Sequence, residues 1–240
     1  MLDNLLNPRQ YDENAETMSS TFFANVYTYM FIALGLSGTI AYMIGADKQT
    51  FFSLFLTDAG TISPLLYVAM FLPLGLGLLI QMAYRRLSYP LLILLFGIYA
   101  LSMGVSLSTV FVVYSLGSIA STFLITAGAF GAMAILGYTT KTDLTKFGSL
   151  LYMAFIGIFI ASIVSIFMHS EMLEIIISVA GVFVFTGLTA YHMQNLKYIS
   201  QDPTLSGLDK SKLSLIGGLQ LYILFINLFL SLLRLVGSRD

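Results

Sequence analysis

Residues 87–140 read LSYPLLILLFGIYALSMGVSLSTVFVVYSLGSIASTFLITAGAFGAMAILGYTT. No Asp, Glu, Lys or Arg interrupts these 54 residues, which are fenced by Arg86 and Lys141. A membrane-crossing helix needs roughly 20 mostly apolar residues. The run is therefore too long for one span and long enough for two, with a tight turn near Tyr114–Ser118. The same charge fences leave shorter runs at Thr17–Ala46, Ala59–Tyr84, Phe147–Ser170, Ile175–Leu196 and Leu213–Leu233. Each holds one span, which makes seven in all. The expected spans are Phe22–Ile44, Leu65–Tyr84, Pro90–Phe111, Gly117–Gly137, Leu150–Met168, Leu173–Gln194 and Leu213–Leu235. The runs are continuously apolar, whereas barrel strands would alternate in segments of about ten residues. The fold class is thus all-α: one polytopic seven-helix bundle over residues 1–240, with short loops and no linker.

Composition agrees. Of 240 residues, 58% are hydrophobic and 10% charged, against about 25% charged in an average soluble domain. Mean hydropathy is +0.88. Too few charges exist to clothe a water-facing surface. A formal net charge of −1 provides no field to attract nucleic acid, and the lipid bilayer is the expected surrounding. The absence of cysteine excludes disulfides, thiolate nucleophiles and Cys metal sites.

The N-terminal segment carries Asp3, Asp12, Glu13 and Glu16, whereas a cleaved signal would start basic. The first span is read as retained, with Asp12–Ser20 at the interface before it. Lys and Arg set the orientation. The N-terminal tail and the second, fourth and sixth loops hold Arg9, Arg85, Arg86, Lys141, Lys146, Lys197, Lys210 and Lys212, eight in all, against Lys48, Arg234 and Arg239 on the other side. This predicts a cytoplasmic N-terminus and an external C-terminus.

Small residues recur four apart as Gly157–Ala161–Ser165 on the fifth span, and as Ala127–Gly131 and Gly128–Ala132 on the fourth. Such strips let backbones approach closely in lipid and are read as packing seams. Pro73, in mid-span, is expected to kink the second helix.

Apart from Glu174 at a mouth, no acid falls inside the spans. The polar residues at depth are Gln81, His192, Gln220, Asn227, Ser231 and Arg234. The last four follow at steps of seven, four and three, which puts them on one face of the seventh span. That stripe is expected to face inward. It reads either as a set of interhelical hydrogen bonds or as the wall of a solute path. His192 has two readings as well: a satisfied interhelical hydrogen-bonder, or a proton sensor, since imidazole titrates near neutrality. His169 and Glu171 make too small a set for a closed metal site. Zinc-protease, nucleophile-elbow, phosphate-loop and dinucleotide signatures are all missing from the sequence, so neither an enzyme nor a cofactor is expected.

Two segments carry a resemblance. FTGLTAYHMQNLK at 185–197 and LYILFINLFLSLLR at 221–234 resemble the Bax inhibitor-1 family, also called the YccA-like or transmembrane Bax-inhibitor-motif family. The span count and length agree over almost the whole chain. The resemblance implies six helices around a central seventh, in keeping with the polar stripe. It also implies a pH-sensitive calcium leak, sensed by two buried aspartates. In the family's T-A-Y-D-x-Q and L-Y-x-D-F-I-N patterns, the two positions are His192 and Leu224 here. Both acids are missing. The family pairs its aspartates with an arginine at the cytoplasmic end of the second helix, which points to Arg85 or Arg86 as a latch; simple positive-inside anchoring is the other reading of this pair.

Paired carboxylates share a proton and bind calcium through hard oxygens. Leucine does neither, so Leu224 reads as an apolar plug and calcium gating as altered or lost. The resemblance thus implies a cation leak with changed gating. The alternative is a non-conducting regulator of stress responses that binds other membrane proteins, because some bacterial members associate with a membrane-bound protease and the family takes its name from a cell-death suppressor. The short tails point to a bacterial inner-membrane protein.

Overall fold

In the computed structural model, residues 8–57, 61–168 and 170–238 are described, with side chains from Ser19 onward except Ile166. His169, Arg239 and the acidic Asp3 lie outside the described residues. Among the described residues, eight helices follow one another: α1 Pro8–Gly45, α2 Lys48–Phe55, α3 Pro64–Ala83, α4 Tyr89–Val113, α5 Leu116–Thr139, α6 Thr145–Met168, α7 Glu171–Gln201 and α8 Gly207–Val236. Seven of them, all but α2, are long and apolar enough to cross a membrane.

The expected spans sit inside these helices except that Tyr84 is the cap just past the end of α3, and several helices run further. α6 starts five residues before Leu150, α7 continues seven past Gln194, and α8 starts six before Leu213. Charge fences mark where the apolar run stops, whereas a helix continues while its backbone bonds can form. Lys146, Lys197, Lys210 and Lys212 therefore lie on helical turns. Asp12–Ser20, expected at the interface before the first span, is helical and continuous with α1. The long run divides where expected: Tyr114 caps α4 and Ser115 caps α5. α3 continues as one helix through the buried Pro73, and Pro64 and Pro90 fall in first turns, where the missing donor is harmless.

α2 lies outside the seven-span reading. Asp47 caps it by accepting from the Gln49 and Thr50 amides, each at 3.2 Å. The Thr50 hydroxyl adds a third bond, and together these hold the Asp47 carboxyl below its ordinary range. The Phe51 and Phe55 rings meet at a tilt, 4.8 Å between centroids, and bury against Ala69 of α3. Eight residues are too few for a span, so a count of long runs passes over them.

α8 is the core. Of its most apolar window 72% is buried, against 6% for α6. α1, α4, α5 and α7 pack directly on it, while α3 leans on α4 and α6 leans on α7. The central helix therefore has four close neighbours and two outer ones. Phe31, Leu78, Leu124, Ile135 and Phe183 point outward, each more than 60% exposed, as a lipid-facing surface requires.

The glycines of the small-residue strips make no close seam contact, although Ser165 at the end of the fifth-span strip is buried. Gly128, Gly131 and Gly157 have open space where a Cβ would stand, and Ala127 and Ala132 are exposed. A Cβ on Gly104 would stand 2.8 Å from the Ser37 carbonyl oxygen, and one on Gly218 2.8 Å from that of Val26. Gly137 abuts the Ala190 backbone. These single glycines bring α1 onto α4, α1 onto α8, and α5 onto α7. A small-xxx-small spacing fits a helix interface, but it fits a lipid surface equally well.

Candidate functional site: a polar cleft beside the central helix

Side chains three, four and seven residues apart share a helix face. His192, Asn195, Leu196 and Ile199 present such a face of α7, and Leu213, Ile216, Gly217 and Gln220 present one of α8. Gln81 and Tyr84 of α3 and Tyr152 of α6 complete the walls of a cleft of about 380 Å³. One turn deeper, Phe155, Phe185, Leu188, Ile223 and Leu224 join Tyr152, His192 and Gln220 around a chamber of about 100 Å³. Among the described residues no acid lines either space, and no trio of His, Asp or Glu is gathered for a metal.

A 2.7 Å hydrogen bond joins Tyr152 Oη to His192 Nε2. The Tyr191 ring meets the imidazole edge-on at 5.5 Å, and the Gln220 side chain reaches it from α8. His192 and Leu224 are only 7% and 6% exposed, and both line the deep chamber. The imidazole thus faces the central helix across a pocket that Leu224 helps to close.

The stripe on α8 divides by position. Gln220 opens into the cleft. Asn227 donates to the Ile223 carbonyl at 2.8 Å and Ser231 to the Asn227 carbonyl at 2.8 Å, so both satisfy themselves on their own helix. Ser231 also fills the space left by Gly181 of α7. Arg234 is exposed and does not face inward; it borders a second space of about 280 Å³ between α4 and α8, at the other end of the stripe. Glu174 lies in the first turn of α7. Arg85 and Arg86 are exposed beyond the end of α3, and Arg85 Nε donates to the Tyr84 hydroxyl at 3.1 Å.

Sequence reasoning gives no role to Tyr152, Asn195 or Gln194. Gln194 is 3% exposed; its carboxamide accepts from the Leu144 amide and donates to the Thr142 carbonyl, both at 2.8 Å. It straps the α5–α6 loop onto α7. Lys197 Nζ donates to the Tyr138 carbonyl at 2.8 Å and lies over its ring, which caps the end of α5. The signal for Gln194 was an amide inside an apolar run, beside a loop whose backbone needs partners. Tyr152 gave none, being one of 14 tyrosines.

The family profile described as "Inhibitor of apoptosis-promoting Bax1" matches residues 19–240. The chain is 41% identical over 220 residues to Inner membrane protein YbhL of Escherichia coli, covering 91% of this chain and 92% of that protein. It is 40% identical over 226 residues to a protein of Borreliella burgdorferi, covering 92% and 94%. A membrane protein of Streptococcus pyogenes is 31% identical over 220 residues, covering 91% and 93%. With seven helices fit to span a bilayer and a match over nearly its whole length, the chain belongs to the Bax inhibitor-1 family of membrane proteins.

Proposed function

We propose that the protein is a leak-type transporter of the inner membrane, with its solute path along the polar face of α8 and with calcium gating altered or lost. One observation carries this reading: the cleft beside α8 ends on an imidazole and a leucine, where two carboxylates would be needed for acid gating. A neutral amide, hydroxyl and imidazole lining solvates a passing ion weakly and offers calcium no hard anionic ligand. The excess of Lys and Arg supports a cytoplasmic cleft mouth, at Tyr84 and Leu213. Neither His192 nor any other lining group is assigned a catalytic step.

Calcium-dye flux in reconstituted vesicles, at about pH 6 and about pH 8, either side of imidazole titration, tests the reading. Wild type is expected to pass little calcium at either pH, and His192→Asp combined with Leu224→Asp to install acid-tuned flux. Strong acid-tuned calcium flux in wild type, abolished by His192→Ala, would overturn it.

A second reading has one observation in its favour. Asn227 and Ser231 are bonded to their own helix, so the polar lane is interrupted. A non-conducting regulator that binds a membrane protease or another membrane protein would need no lane. Co-purification of such a partner in mild detergent, together with silent flux from the two-aspartate variant, would favour it.

A further inference from the structure

We propose that the cleft holds an anionic phospholipid, which enters sideways between α3 and α6. This goes beyond the transport reading and stands whether or not the protein conducts. α3 is held by α4 and α2, and α6 by α7; the two do not form a packed pair with each other. The space between them therefore opens laterally, toward the region that lipid occupies.

Three features of that space fit one occupant. At the rim, the Arg85 guanidinium bonds the hydroxyl of cleft-lining Tyr84 and lies over its ring, and Arg86 follows at the same exposed corner. Guanidinium groups pair with phosphate oxygens through parallel donors, and no described acid lines the cleft to oppose them. Along the walls, the carboxamides of exposed Gln81 and half-buried Asn195 have no hydrogen-bond partner among the described residues. An amide beside hydrocarbon without a partner is costly, and the ester carbonyls of a glycerolipid would accept from both. Deeper still, Phe155, Phe185, Leu188, Ile223 and Leu224 form an apolar chamber suited to the first methylenes of an acyl chain. Polar and apolar zones thus follow in the order a phospholipid presents them: phosphate, ester, chain. A basic pocket between spans on the cytoplasmic side faces the anionic leaflet, the source of such a lipid.

The chain contains no tryptophan, so Phe155→Trp places a unique fluorophore in the chamber. The full chain is reconstituted in phosphatidylcholine vesicles, and quenching by brominated phosphatidylglycerol is compared with quenching by brominated phosphatidylcholine. The expected result is about a fivefold preference for the anionic lipid, the scale of one Arg contact near an anionic surface. Arg85→Gln with Arg86→Gln is expected to reduce the ratio to about one, as is moving the reporter to the outward face of α5 with Ile125→Trp. Equal quenching by the two lipids, or a preference that survives the arginine changes, would overturn the proposal. So would loss of the preference in millimolar inorganic phosphate, which would assign the site to free phosphate. Ile223→Trp reports on the same chamber if Phe155→Trp does not fold. Silent flux from the two-aspartate variant with the lipid preference intact would count against transport alone, and acid-tuned flux from that variant with equal quenching against the lipid alone.

Discussion

His192 shows what a single side chain does in this bundle. α6 is held to the rest of the molecule through α7, and the Tyr152–His192 bond is a polar contact between their facing sides. A buried imidazole with a phenol on one ring nitrogen has the environment of an interhelical hydrogen-bonder, one of the two readings its sequence position left open. Interhelical hydrogen bonds in membranes average about 0.6 kcal/mol and reach about 1.7. A double-mutant cycle of Tyr152→Phe and His192→Leu, followed by unfolding in detergent, should therefore give a coupling energy of about 0.5–2 kcal/mol. Additive effects would mean that the two rings are neighbours without being partners. The imidazole position could be read from the sequence because a polar group in a charge-free run stands out. Its partner could not, since a tyrosine near a membrane boundary is ordinary and only packing shows which one turns inward.

At the level of helices, the elements themselves were legible and their contacts were not. Burying a charge in hydrocarbon is so unfavourable that charges mark the ends of spans, and the six charge-free runs between Thr17 and Leu233 follow from that term, with span length dividing the 54-residue run in two. Seams depend on weaker and less specific packing forces. Gly157 and Gly131 have the right spacing yet face outward, while Gly137, with no small partner at four residues' distance in the quoted strips, touches the Ala190 backbone. The contrast is measurable. Gly137→Ala puts a methyl against the main chain of α7, where no side chain can swing away, and should destabilise by about 1–3 kcal/mol or more. Gly131→Ala meets open space and should be neutral or stabilising by up to about 1 kcal/mol, since alanine loses less entropy in a helix. Thermal unfolding of the two variants in the same detergent checks both; equal losses would mean that the α5 strip is a seam after all.

For the whole molecule, one long helix is enclosed by four others, and its least covered face runs between two spaces. One is the cleft at Gln220; the other, at Arg234, borders α4. The stripe on α8 was legible from its period, because residues seven and four apart must share a face. The cleft was not, because Gln81 and Tyr152 come from helices distant in sequence and meet α8 only through the fold. Eight basic residues against three predict which side of the membrane each space opens to, and the absence of cysteine makes this testable with single thiols. Lys141 and Lys48 are both exposed, on the α5–α6 loop and at the start of α2 respectively. A membrane-impermeant maleimide should label Lys48→Cys in intact cells, and Lys141→Cys only after permeabilisation. The cleft mouth at Tyr84 then shares the cytoplasmic side with Lys141, since an even number of spans separates the two loops, and faces the anionic leaflet. The opposite labelling pattern would turn the mouth outward, away from that leaflet, and the basic excess would no longer account for the orientation.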